Sequence, residues 1–236
     1  MSDAALPSPE ERDYAVQTFT REAQLLRSLN HRNLPKVTDF FTPGGKHYLV
    51  MEFVPGQTLD RMLAARNAPF SEADAINWGT QLCDVLSYLH TQNPPIIFRD
   101  LKPGNIMLTP QSEIKLIDFG IVRFFKKGQT KDTQALGTPG FFAPEATSGQ
   151  TDARSDIYSL GIVFYEMLLG HTPFDADTPL AILMKHLNDP LPLPHKLDPS
   201  IPEVFERVLL RALAKQADER YQSAAEFETA LQTIHT

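Results

Sequence analysis

The sequence predicts an α+β protein, with a small strand-bearing front end and a mostly helical body. Three observations carry this. Two strand-like runs, residues 36–41 and 47–54, flank the turn signal Pro43-Gly44-Gly45 and read as a hairpin. Apolar residues at helical spacing dominate after Gly56. Between 96 and 118 that spacing gives way to short apolar runs split by polar turns.

Taken in order, Ser8-Pro9-Glu10-Glu11 opens the first helix, with Ser at the cap, Pro in the first position and Glu in the third. Phe19, Ala23, Leu26 and Leu29 then recur at helical spacing. Beyond the hairpin, Ser71 with Asp74 three residues on opens a long helix carrying Ile76, Leu82, Val85, Leu86 and Leu89 on one face. Three apolar runs follow: Ile96-Ile97-Phe98, Ile106-Met107-Leu108 and Ile114-Lys115-Leu116-Ile117. Residues 119–143, rich in Gly, Thr and Lys, read as a long loop, and such loops in compact domains are usually functional. Helical periodicity returns at 154–169, 178–188, 203–214 and 223–235. Residues 189–202 hold five prolines and read as a loop between helices.

Composition narrows the function. The chain has 236 residues with 22 basic and 29 acidic side chains, a net charge of −7, which argues against nucleic-acid binding through a basic face. The single cysteine, Cys83, cannot form an internal disulfide and reads as a buried structural thiol. The longest apolar stretch, 158–169, carries Glu166 and is too short to span a bilayer. The N-terminus has no basic segment followed by an apolar core, so the expectation is a cytoplasmic chain without a membrane segment. The histidines show no metal-ligand spacing, and His90 reads as a surface residue suited to a helix C-terminus. Trp78 reads as packing. Arg123, Lys126, Lys127 and Lys131 are either a solvated loop face or a docking surface for phosphothreonine or an acidic substrate.

Residues 96–118 carry the chemistry. If the runs around Thr109-Pro110-Gln111-Ser112-Glu113 form a hairpin centred between Gln111 and Ser112, Asn105 and Asp118 are equidistant from that centre and face each other. An amide oxygen and a carboxylate are hard ligands suited to Mg²⁺, which completes its shell with phosphate and water. Just upstream, Asp100 and Lys102 stand two apart in an extended loop. The carboxylate can orient a hydroxyl and accept its proton, while the ammonium offsets charge on a transferring phosphoryl group. This is the equipment for phosphoryl transfer to a protein hydroxyl.

With Asp100-x-Lys102-x-x-Asn105, Asp118-Phe119-Gly120 and Ala143-Pro144-Glu145 in this order, the chain resembles eukaryotic-like protein kinases, in the style of bacterial Hanks-type serine/threonine kinases. The resemblance runs over nearly the whole chain and implies a protein-kinase-like fold, ATP and Mg²⁺ as cofactors, and protein Ser/Thr hydroxyls as acceptors. It makes residues 1–54 part of an N-lobe, helix αC plus two antiparallel strands, with the hinge at 52–54. Residues 55–236 would be a complete, mostly helical C-lobe.

Residue by residue, Asp100 would be the catalytic base, and Lys102 would contact the γ-phosphate. Asn105 and Asp118 would hold magnesium. Glu22 matches the αC glutamate and Met51 the gatekeeper. The backbones of Glu52 and Val54 would meet adenine, with Met107 as its floor. Asp156 would brace the catalytic loop, and Glu145 would pair with Arg220. Arg99 would read phosphate on the loop, with Thr130 and Thr133 as candidate phosphosites. Thr138, in Gly137-Thr138, resembles the serine/threonine pattern.

Two departures stand out. Phe98 occupies the position where the family usually has His; its ring is expected to keep the stacking on Phe119 and on Leu26. The sequence as given also contains no Gly-x-Gly-x-x-Gly and no lysine before Lys36. The expectation is therefore a kinase truncated at the front of its N-lobe and weak or inactive in this form. The alternative is a non-catalytic, kinase-derived binding or scaffold module.

Overall fold

Phe19, Ala23 and Leu26 fall on one face of the first helix, α1 (Pro9–Ser28), and are buried there. The capping Ser8 lies outside the residues that the computed structural model describes, 9–118 and 138–235. Strands β1 (Val37–Phe41) and β2 (Tyr48–Met51) pair antiparallel, with Phe41 opposite Tyr48 and an irregularity between Val37 and Asp39. The turn between them takes left-handed backbone at Gly44 and Gly45, which glycine adopts without steric cost. α1 packs on this hairpin through Phe19, whose ring meets Phe40 edge-on and lies 4.6 Å from the His47 ring. Beyond β2, the Glu52 amide donates to the Lys36 carbonyl at 2.8 Å, carrying the pairing on to residue 52.

A second sheet has the order β3-β4-β5, formed by β3 (Gln57–Thr58), β4 (Ile106–Leu108) and β5 (Ile114–Leu116), all antiparallel. Asn33 ties the front end to it: its side-chain amide donates to the Ile114 carbonyl, and its own carbonyl accepts from the Leu116 amide, both at 2.8 Å.

The helical body is built around α3 (Glu72–His90) and α4 (Ala153–Leu169). Ser71 caps α3 by accepting from the Asp74 amide, and the expected face of Ile76, Leu82, Val85, Leu86 and Leu89 is buried. Asp152 caps α4 in a reciprocal box with Ser155, and α4 is buried on nearly every side. The two helices approach closely at Gly79, where a Cβ would lie 1.8 Å from the Phe164 ring. Around this pair stand α2 (Leu59–Arg66), α5 (Pro179–Asn188), α6 (Pro194–Leu197), α7 (Glu203–Ala212) and α8 (Ala224–Gln232).

Three expectations need correction. Residues 189–202 are not loop throughout, because Pro194 starts the short helix α6 with its fixed φ and needs no intrahelical N–H there. The hairpin register differs by one residue. Ile106 pairs with Leu116 and Leu108 with Ile114, so the pairing centres on Gln111 and Asn105 stands opposite Ile117. Ser112, in left-handed backbone, shapes the connection that sets this register. His90 is not a surface residue: its side chain is 9% exposed and bonded to a buried carboxylate.

Candidate active site

The site is built on a loop held from below. Asp156 lies in the first turn of α4, where the helix dipole favours a carboxylate, and it is fully buried. Its Oδ2 accepts from the Phe98 amide and meets His90 Nε2, each at 2.8 Å, and its Oδ1 accepts from the Arg99 amide at 2.8 Å. Arg99 takes φ +65°, a left-handed conformation that a non-glycine residue keeps only when its surroundings enforce it. The Phe98 ring is buried in the same cluster as Leu26.

From this anchor the chain presents Asp100, 10% exposed at its side chain. Its Oδ2 accepts from Lys102 Nζ and from Asn105 Nδ2, both at 3.2 Å. Asn105 Nδ2 also donates to the Asp100 carbonyl at 2.8 Å, so Oδ1 is the atom Asn105 has to offer a cation. Lys102 Nζ reaches on to Thr138 Oγ1 at 2.9 Å. Asp100, Lys102, Asn105 and Thr138 thus form one hydrogen-bonded group.

Asp118 arrives by the second hairpin. The Ile117 amide donates to the Asn105 carbonyl at 2.8 Å, and Asp118 follows at φ +61°. That left-handed backbone breaks the strand alternation one residue past the rung that joins Ile117 to Asn105. As a donor set, an amide oxygen and a carboxylate fit magnesium, which takes few protein ligands. No group of three or more His, Cys, Asp or Glu side chains suited to a metal occurs among the described residues.

The segment expected to meet adenine follows β2. Val54 is buried, Glu52 and Met51 are exposed, and Phe53 is 85% exposed. Gly56, at φ +134°, lets this segment settle on β4: a Cβ there would lie 2.0 Å from the Leu108 carbonyl oxygen. Met107, half-buried, stands opposite Thr58 in the same ladder. Glu22, on α1, has its Oε2 buried with no hydrogen-bond partner among the described residues, and burial raises its pKa.

On the far side, Arg220 grips Glu145 with two parallel bonds of 2.8 Å. The guanidinium is fully buried and also donates to the carbonyls of Ala214, Arg154 and Lys215. Burial alone would raise the pKa of Glu145, but hydrogen bonds from Arg220 and Ser155 hold it below the ordinary value. Ser159 Oγ donates to the Phe141 carbonyl at 2.7 Å, fastening residues 138–145 to α4. Phe119, Thr130 and Thr133, with Arg123, Lys126, Lys127 and Lys131, lie outside the described residues. The sequence reading placed His90 on the surface and gave Ser155 no role, since their partners are 66 and 10 residues away and no local pattern announces them.

The protein kinase domain family matches residues 6–232. The chain belongs to this family. It is 36% identical over 228 residues to the serine/threonine-protein kinase PrkC of Bacillus subtilis, covering 94% of this chain and 35% of that protein. It is 40% identical over 226 residues to the serine/threonine-protein kinase PknB of Mycolicibacterium smegmatis, covering 92% of this chain and 36% of that one. The kinase chain therefore spans about a third of the length of these curated relatives. Its fold matches a crystal structure of Rad53 1–466 in complex with AMP-PNP, with a TM-score of 0.78 and 27% identity over 91% of this chain and 54% of that one. No helix of the described residues is long and apolar enough to cross a membrane.

Proposed function

We propose that this kinase-family chain carries the machinery to transfer the γ-phosphate of ATP to serine or threonine hydroxyls of proteins. The observation that carries the reading is the group formed by Asp100, Lys102 and Asn105 on a loop clamped by Asp156. In this reading the acceptor hydroxyl donates to the Asp100 carboxylate, which takes its proton as the oxygen bonds to the γ-phosphorus and the bond to the ADP oxygen breaks. Lys102 offsets charge on the phosphoryl oxygens. Asn105 Oδ1 and Asp118 would hold magnesium, which would supply charge neutralisation on the phosphates. Residues 52–54 serve as the hinge between an N-lobe portion, 1–54, and a C-lobe, 55–236; Glu52, Val54 and Met107 frame the adenine.

The experiment measures Mg²⁺-dependent phosphate transfer from ATP to a generic protein acceptor, alongside nucleotide affinity. Asp100→Asn should lower the rate by about 10²–10⁴-fold while ATP affinity stays near wild type. Equal rates in both proteins would remove Asp100 from this role.

One observation favours the second reading, a non-catalytic binding module. The buried Glu22 Oε2 has no hydrogen-bond partner among the described residues. Nucleotide binding without measurable transfer, unchanged by Asp100→Asn, would favour that reading.

A further inference from the structure

The inner face of α5 carries a buried histidine that the phosphoryl-transfer group does not use. His186 is 1% exposed, and its ring lies edge-on to Phe174 at 4.9 Å and to Tyr158 at 5.7 Å. Its Nδ1 meets Tyr158 Oη at 2.9 Å. Its Nε2 is buried and completes no hydrogen bond among the described residues. α5 packs there on the turn Pro139–Phe141, and the Gly140 backbone acts on the ring, favouring its protonated form as a carbonyl does. That turn follows Thr138, the residue bonded to Lys102 Nζ.

We propose that His186 is a positioning residue for phosphoryl transfer: it holds the Gly140 turn from α5 and so keeps Thr138 on Lys102. The inference rests on the kinase reading above and adds to it a residue outside the reactive group. The chemistry of the ring gives the reason. Tyr158 is fully buried, and burial raises its pKa, so its hydroxyl keeps a proton to donate. Burial first, and the Lys215 charge second, lower the pKa of His186 to about 4, against the Gly140 backbone. The ring is therefore neutral at pH 7. With Nδ1 accepting from Tyr158, its one proton lies on Nε2. A buried N–H without a partner is costly, so arrangements of the turn that bring the Gly140 carbonyl onto Nε2 are favoured.

The surroundings keep the ring in place. Lys215 Nζ donates to the His186 carbonyl at 2.7 Å, fixing the end of α5, and lies 4.5 Å from the centre of the Phe174 ring. Arg220, which grips Glu145, stands 4.8 Å over the Tyr158 ring. Residues 138–145 are thus held by Arg220 at Glu145, by Ser159 at Phe141 and by His186 at Gly140, the hold nearest in sequence to Thr138.

The test compares the full chain with His186→Phe and His186→Gln. The first keeps a ring without either nitrogen; the second offers an amide where Nε2 stands. The Phe141 and Phe142 amides donate to the Thr138 and Pro139 carbonyls, so their hydrogen exchange reads the turn without ATP. Exchange should quicken about tenfold in His186→Phe and return toward wild type in His186→Gln. With a generic protein acceptor, kcat should follow the same order, about tenfold lower in His186→Phe, while ATP affinity holds. A role in packing alone gives the opposite order, with His186→Phe nearest to wild type. Nitrogen-15 spectra of the wild-type chain should place the His186 proton on Nε2. Should His186→Phe fail to fold, Tyr158→Phe removes the hydroxyl that sets the tautomer, and should move those shifts and quicken the same amides.

A proton on Nδ1, or exchange and kcat in the packing order, overturns the positioning role. Transfer that is indifferent to His186 leaves the kinase reading standing and removes this one. The expected tautomer and exchange in a chain without measurable transfer keep the hold on the turn and remove the kinase reading.

Discussion

Arg220 and Glu145 show how much one residue pair can depend on its burial. The guanidinium has no access to water, and its five donors are spent on the carboxylate and on three carbonyls. Glu145→Ala leaves that charge buried with the carbonyls alone, and should cost about 3 kcal/mol in urea unfolding, the lower end of the range for breaking a buried pair. The pH dependence follows from the same bond. The folded pKa of Glu145 lies below the ordinary 4.5, so its stabilisation is in place above that value and is lost as pH falls through the folded one. Glu166 has the opposite sign. Its folded carboxyl, at about 7, keeps a proton that the unfolded chain releases near 4.5, so stability falls as pH rises between those values. Unfolding free energies across this window should flatten in Glu166→Gln. An unchanged slope would mean that another group sets it.

At the scale of elements, the parts legible in the sequence were the long apolar helices. α3 carries an apolar face long enough to count, with a capping residue at its start, and α4 is apolar along nearly its whole length. α2 had no such signal: among its eight residues only Leu59 is buried. The second hairpin was legible as a hairpin but not in its register. Five residues between the apolar runs admit more than one turn, and the left-handed Ser112 is not a residue the sequence marks for that backbone. Asp118, itself left-handed, follows the last rung of that ladder, the bond from the Ile117 amide to the Asn105 carbonyl. Gly56 is the element-level position most open to test. Ala in its place meets the Leu108 carbonyl with a strained φ, and should cost about 1–3 kcal/mol while weakening ATP binding by displacing residues 52–54, the hinge in the proposed reading. Thermal melts and nucleotide titration read the two effects separately. Full ATP affinity in a destabilised variant would detach Gly56 from the hinge.

Over the whole molecule, the front end is the exposed part. Phe41, Tyr48, Val50 and Met51 are all more than a third exposed on the two-stranded sheet, and the Phe41 and Tyr48 rings stack there at 5.3 Å. α1 packs on this hairpin through Phe19, but two strands make a small sheet, and open edges invite association. Residues 1–236 by themselves should therefore bind ATP weakly, transfer phosphate slowly and associate as concentration rises. A chain extended at its N-terminus by a glycine-rich loop and a strand-borne lysine should gain affinity and rate together, since positioning and charge stabilisation are nearly all that this catalysis requires. Nucleotide titration, initial rates and light scattering on the two proteins make the comparison. Fast transfer by residues 1–236 would show that α1 and the hairpin suffice.

The clamp beneath the reactive loop has a consequence for how this protein can vary. Asp156 holds residues 98 and 99 by their amide hydrogens, not by their side chains. Every residue but proline brings such a hydrogen, so the shape of the loop is indifferent to what either position carries beyond that. A phenylalanine can stand at 98 without loosening the grip on Asp100. What limits substitution in this stretch is the room around a ring at 98 and the left-handed turn at 99, not the attachment of the loop. The constraint falls instead on the other end of those bonds, the fully buried Asp156 carboxylate in α4, whose loss would leave both amides without that acceptor.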